Sequence, residues 1–303
     1  MFASSSNHAK GFALTALGGL TLTVDIPLIR LAGGDHWTIL LLRSSTTLAV
    51  TLLIWLAWRW LRGNAPPLVP GRSGLAVALF YGLGSISFIT AVFHTSTANL
   101  VFILVFNTMF AALLSWLVLG ERPRTATLIA MVLMTGGVLV IVSDSIGTGQ
   151  LFGDLMALAS SLFLASAITV SRASGKDMGF TALVAVLLPF VLAVVMVQKT
   201  GFQVEAPWWI ILNGGVIMPI AFFCLATGPK YISGPEVAMF YLLETVLAPV
   251  WVWMIFAEIP SRNSLIGGAI LVVTLIVHSL WQLNQVAREI GRSNSLRFPA
   301  PLS

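Results

Sequence analysis

Few residues in this chain have the chemistry to bind or move a polar solute, and most of them sit inside long apolar runs. Asn107 lies in TANLVFILVFNTMFAALLSWLVL (97–119) and Glu244 in PEVAMFYLLETVLAPVWVWMIF (235–256). Each is about ten residues from either end of its run. Asp25 lies in GFALTALGGLTLTVDIPLIRL (11–31) and Arg43 in the next run. Each of these two is about seven residues from the end that faces the other. A polar or charged group at the middle of a bilayer costs roughly 2.5–3.5 kcal/mol on insertion scales, so it usually faces a cavity or a partner. Asn107 and Glu244 can therefore hold a substrate, or can form interhelical hydrogen bonds that only fix packing. Glu244 can in addition carry a proton. Asp25 and Arg43, at equal depth on neighbouring segments, are expected to form an ion pair. That pair reads either as a gate that opens and closes or as a static staple.

The elements that must position these groups follow from composition. The 303 residues are 57% hydrophobic and 9% charged, with a mean hydropathy of +0.95. Soluble domains are about a quarter charged. Apolar runs of about 20 residues match the hydrocarbon thickness of a bilayer. Continuous runs of that length mean helices, because a membrane β-barrel shows short alternating segments instead. The predicted fold class is therefore an all-α integral membrane protein. Ten helices are expected at roughly 11–32, 37–58, 74–93, 97–119, 125–143, 151–171, 179–198, 207–227, 235–256 and 263–283. Segments 1–10 and 284–303 read as cytoplasmic ends, and no cleavable secretory signal is evident. Basic residues set the orientation. Twelve of the 16 fall on one side, three (Arg30, Lys199, Arg262) on the other, and Arg43 within a span. The expected location is an inner (cell) membrane with both termini cytoplasmic.

The chain also echoes itself. LGERP (119–123) and FAEIP (256–260) each end a long apolar run and each carry Glu two residues before Pro. Offsetting the chain by 137 residues lays 90–129 on 227–266 without a gap, with nine identities, including Trp116/Trp253, Glu121/Glu258 and Pro123/Pro260. Asn107 and Glu244 are equivalent at that offset. GFALTALGGL (11–20) and GDLMALASSL (153–162) align only after a small shift. Residues 11–143 and 150–283 thus read as two five-helix repeats. Five is odd, so equivalent helices cross in opposite directions, and binding is expected near the midplane between the halves. Glu121 and Glu258 are expected beside the N-terminus of the helix that follows each, where a carboxylate is favoured, with Pro opening that helix.

Ten helices, two inverted repeats and the run WLVLGERP resemble the drug/metabolite transporter superfamily, EamA family; LLETVLAPVWVWMIFAEIPS is similar in the second half, with Ala257 where Gly is usual. Within that family the chain resembles the YddG-type aromatic amino acid exporters. The resemblance implies export of small metabolites, amino acids including aromatic ones among them, with other metabolites, nucleobases, sugars and cationic drugs as alternatives. It places the cavity among helices 1, 3, 4, 6, 8 and 9. Tyr241, one turn from Glu244, and Tyr81, Phe88 and Phe163 would then be aromatic walls, although most aromatic residues in such a chain only pack or face lipid. Trp37, Trp58, Trp60, Trp208 and Trp209 read as interfacial anchors, and His94 as a solvated loop residue. Pro189, Pro219 and Pro249 read as kinks or hinges. Gly136-Gly137 and Gly267-Gly268 read as sites of close helix approach, within the chain or between two copies.

Other classes fare less well. No HExxH, GxSxG elbow, close pair of membrane Asp residues or phosphate loop is present, which speaks against an intramembrane enzyme or an ATP-driven pump. A channel would need a ring of polar groups along one pore. One cysteine, Cys224, excludes an intrachain disulfide framework and a Cys-based zinc site. No cofactor or metal is expected, nor a nucleic-acid partner despite the net charge of +5. The expected partners are a small-molecule substrate and the bilayer, with proton coupling and oligomeric state left open.

Overall fold

A computed structural model describes residues 2–63, 65–176, 178–227 and 234–297; the side chains at 2–9, 226–227, 234–239, 241–242, 282–283 and 286–297 lie outside the description. Every element among the described residues is helical. In chain order they are α1 (Phe2–Leu22), α2 (Asp25–Ala32), α3 (His36–Arg62), α4 (Gly71–His94), α5 (Thr97–Leu104), α6 (Asn107–Leu119), α7 (Thr125–Thr148), α8 (Leu151–Ser174), α9 (Gly179–Val184), α10 (Leu187–Thr200), α11 (Pro207–Leu212), α12 (Met218–Thr227), α13 (Gly234–Phe256) and α14 (Arg262–Arg297). A π-helical segment, Asn213–Ile217, joins α11 to α12. Several pairs form single spans. Among the described residues nine helices are long and apolar enough to cross a membrane, from Lys10–Ala32 to Arg262–Trp281, and Leu243–Phe256 is a shorter apolar helix. Helix α14 runs on past the apolar span to Arg297, through most of the segment 284–303 expected as a tail.

The interruptions follow backbone chemistry. A proline ring clashes with the carbonyl four residues earlier. Pro27 stands four residues after Thr23, where α1 gives way to α2; Pro189 stands four after Ala185, where α9 gives way to α10; and Pro219 follows the π-helical segment by the same spacing from Gly215. Pro249 lies inside α13, which continues through it. The break between α5 and α6 has no proline. There the backbone tightens, with Phe106 N–H donating to Ile103 O at 3.0 Å and Met109 N–H to Phe106 O at 3.0 Å.

Packing partners come in matched sets. Helix α4 packs most extensively on α8, and α1 packs on α12; α6 meets α8, and α1 meets α13. Helices α3 and α10 pack together, as do α7 and α14. Relabelled by repeat, each contact has its counterpart or is its own counterpart. The α7–α14 contact is close because of glycine: a Cβ on Gly137 would stand 3.0 Å from Gly267 O, and one on Gly267 2.6 Å from Gly137 O. Gly268 faces the Phe102 ring, whereas Gly136 faces open space. Gly137, Gly267 and Gly268 therefore serve contacts within the chain.

Candidate functional site

Three polar residues stand where helices are interrupted. Asp25 is the first residue of α2, Asn107 the first of α6, and Asn213 the first of the π-helical segment. An interruption frees backbone groups and turns a helix end toward the bundle interior, where irregular backbone is tolerated only if it lines protein or a cavity.

Asp25 and Arg43 are joined. Arg43 Nη2 donates to Asp25 Oδ1 at 3.1 Å and to Oδ2 at 3.0 Å, and the two side chains are only 10% and 5% exposed. Asn213 completes the cluster and was not among the residues expected from sequence. Its Nδ2 donates to Asp25 Oδ1 at 2.6 Å and to Asp25 O at 3.2 Å, while its Oδ1 accepts from Arg43 Nε at 3.1 Å. Both ends of one amide are thus used to hold the acid and the base in register. Met218 Sδ lies 3.0 Å from Arg43 Nη2. The π-helical segment makes this arrangement accessible. Thr47 Oγ1 on α3 donates to Gly214 O at 2.8 Å, and a Cβ on Gly214 would meet Arg43 O. Only a glycine lets the two backbones approach this closely.

Phe88 joins the cluster from α4, with Arg43 Cζ 5.4 Å from its ring centroid. A guanidinium at that distance from an aromatic face is attracted by the ring quadrupole. Glu244, half-buried on α13, lies near enough to feel the charges of both Asp25 and Arg43. Among the described residues no side chain hydrogen-bonds its carboxylate, and Arg43 Nη1 likewise has no protein partner. Among the described residues the site therefore leaves a guanidinium N–H and a carboxyl group with hydrogen-bonding capacity to spare.

The other expected residues fall elsewhere. Asn107 is half-buried after the α5–α6 break, with no side-chain hydrogen bond among the described residues. Tyr81 packs on a separate cluster of Val77, Ala167 and Met178. Phe163 stacks on Phe80, with ring centroids 6.5 Å apart. The side chain of Tyr241 lies outside the described residues. His94 is exposed, but as the last residue of α4 rather than in a loop, with Nδ1 2.7 Å from Thr90 O. Trp251 was unforeseen as well: its Nε1 donates to Thr23 Oγ1 at 3.1 Å, at the break that precedes Asp25.

The second Glu-x-Pro motif departs from the expectation. Glu258 Oε1 accepts from the backbone N–H of Thr97 at 2.8 Å and Oε2 pairs with Arg30. It thus caps α5, in the other half of the chain, rather than the helix that follows it. Glu121 pairs with Arg172 at 3.2 Å. Ala257, preceding Glu258, is the one non-glycine at positive φ (55°) among the described residues, in the place where Gly120 (φ 71°) stands in the first half.

Known proteins agree with this architecture. The EamA-like transporter family matches the chain twice, over residues 9–143 and 151–280. The chain belongs to the EamA-like transporter family. This EamA protein is 24% identical over 278 residues to the "Pseudopaline exporter CntI" of Pseudomonas aeruginosa (strain UCBPP-PA14), covering 89% of this chain and 96% of that one. It is 26% identical over 218 residues to an "Uncharacterized transporter" of Archaeoglobus fulgidus, covering 69% and 76%. A solved crystal structure superposes with a TM-score of 0.63 at 19% identity, covering 91% of this EamA chain and 98% of the other. The protein is a multi-pass membrane transporter, whose partners are a bilayer and a small-molecule substrate.

Proposed function

We propose that this EamA protein is a secondary transporter that exports small metabolites, amino acids including aromatic ones first among them, as in the YddG-type exporters. Ten spans in two inverted five-helix repeats rock about a site near the midplane, with both termini on the cytoplasmic side of the cell membrane. The matched packing sets and the doubled family match support the inverted repeat.

The observation that carries the substrate reading is the cluster of Asp25, Arg43 and Asn213 with Glu244 beside it. An α-amino acid brings one ammonium and one carboxylate. Arg43 Nη1 suits the carboxylate, Glu244 suits the ammonium, and Phe88 offers a ring face to an aromatic side chain. Asn107, Tyr241, Tyr81 and Phe163 complete the proposed binding set. Export follows the sense of the relative named as an exporter. Glu244 is the candidate proton carrier.

Counterflow in proteoliposomes tests this reading. Protein loaded with unlabelled phenylalanine, tryptophan or threonine is expected to take up the labelled partner above empty liposomes, and Asn107→Ala/Glu244→Ala is expected to abolish uptake. Monodisperse protein that exchanges none of the three removes the amino acid reading. The second reading is then a metallophore, favoured by the match to the pseudopaline exporter over 89% of the chain, and pseudopaline is the next substrate to load.

A further inference from the structure

The Glu of each repeated motif pairs with an arginine, and the arginines are themselves repeat equivalents. Glu121 and Glu258 differ by 137 positions, Arg30 and Arg172 by 142. The second offset is the one that aligns residues 11–35 with 153–177, bringing Leu20 onto Leu162, Ile26 onto Ile168 and Gly33 onto Gly175. Gly33 (φ 60°) and Gly175 (φ 62°) each end the helix three residues after its arginine. Each pair crosses between halves: Arg30 of the first half meets Glu258 of the second, and Arg172 of the second meets Glu121 of the first. One pair lies on the arginine-rich face and the other on the opposite face.

We propose that Arg30–Glu258 and Arg172–Glu121 are paired latches of the transport cycle, each shutting the pathway at its own face by tying the leading helix of one half to the Glu-x-Pro turn of the other. This rests on the alternating-access reading but not on any particular substrate.

The two latches are in different conditions. Arg30 Nη2 also donates to Thr95 O at 3.1 Å and to Val92 O at 3.4 Å, and the Arg30 and Glu258 side chains are 21% and 23% exposed. Arg172 and Glu121 are each 55% exposed, with one further bond, from Arg172 Nη1 to Ser115 Oγ at 3.3 Å. An exposed ion pair holds weakly, whereas charge-assisted bonds to an enclosed partner hold firmly. The Arg30 face carries a second tie. Fully buried Asp154 on α8 accepts from Thr95 Oγ1 at 2.5 Å, Ser145 Oγ at 2.5 Å and Asn99 Nδ2 at 3.3 Å, and Ser264 Oγ donates to Asn99 Oδ1. Its repeat counterpart is Phe12, so the arginine-rich face has no equivalent. The Arg30 face is therefore the more firmly shut of the two. Yet that closure is built to release. Among the described residues the buried side-chain polar atoms left without a hydrogen bond are Arg30 Nε and Thr97 Oγ1, both in this latch. Unpaired buried polar groups raise the energy of the state that holds them.

The test uses accessibility. Cys224 is the single cysteine, so Cys224→Ala gives a background in which Phe88→Cys reports on the central site. Vesicles of both orientations are treated with a membrane-impermeant maleimide. The background is expected to label from the arginine-rich face. Glu258→Gln is expected to raise labelling from the opposite face at least fivefold and to lower it from the arginine-rich face. Glu121→Gln is expected to lower labelling from the Arg30 face below the background. Labelling unchanged by Glu258→Gln on both faces overturns the proposal. If that variant is not monodisperse, Arg30→Gln, which removes the other half of the same pair, decides instead by the same readout, and labelling unchanged on both faces overturns the proposal. Since no substrate is involved, a failed counterflow assay leaves this result standing, and latches that do not switch sides fail even if counterflow succeeds.

Discussion

Arg43 Nη2 on α3 meets both carboxylate oxygens of Asp25 on α2, at 3.1 and 3.0 Å, and Asn213 bonds both residues, donating to Asp25 Oδ1 and accepting from Arg43 Nε. Removing one member of such an enclosed pair leaves an unpaired charge, at about 3–5 kcal/mol. Asp25→Ala is therefore expected to lower the thermal midpoint in detergent strongly, and Asp25→Ala/Arg43→Leu to lower it less. Asn213→Ala, which removes hydrogen bonds to charged groups, is expected to cost about 1.5–3 kcal/mol. Fluorescence-detected thermal unfolding of the three variants checks the order, and a double variant less stable than Asp25→Ala refutes it.

Glu244 faces the same charges without a hydrogen-bonding side chain among the described residues. If it carries the coupled proton, Glu244→Gln should keep substrate-for-substrate exchange and lose accumulation driven by an imposed pH gradient. Equal responses of the two proteins to the gradient rule out that role.

Ala257 at φ 55° occupies a left-handed conformation that disfavours a Cβ. Ala257→Gly is expected to stabilise the protein by on the order of 1 kcal/mol, because relief of that strain exceeds the added backbone freedom of glycine. Gly120→Ala, at the equivalent turn (φ 71°), should destabilise by a similar amount. Thermal midpoints measured side by side would show the opposite signs, and a fall for Ala257→Gly would contradict the strain.

Gly267 and Gly136 form an internal control. A Cβ at Gly267 would meet Gly137 O at 2.6 Å, whereas one at Gly136 meets nothing. Gly267→Leu is expected to lower the yield of monodisperse protein severely, and Gly136→Leu to leave it near the parent. Similar losses from both would place a contact on the Gly136 face.

The membrane class and the approximate places of the apolar spans were legible in the sequence because their causes are local. Each span must satisfy its own backbone in lipid, so each announces itself as an apolar run. The span 97–119 is met at both ends by α5 and α6 together. Pro189 and Pro219 mark their interruptions through a clash four residues back, and Pro27 carries the same signal at Asp25. The depths of Asp25 and Arg43 could be counted along their helices, and that placed them opposite one another. What the sequence could not determine is which partner each group takes across the bundle. Helices that are apolar all round carry no stripe to separate lipid from protein, so their rotations are set by tertiary packing. Only that packing brought Asn213 between Asp25 and Arg43, moved Glu258 from its own turn to the start of α5, and set Phe88 over Arg43 while leaving Tyr81 and Phe163 in the seam between α4 and α8.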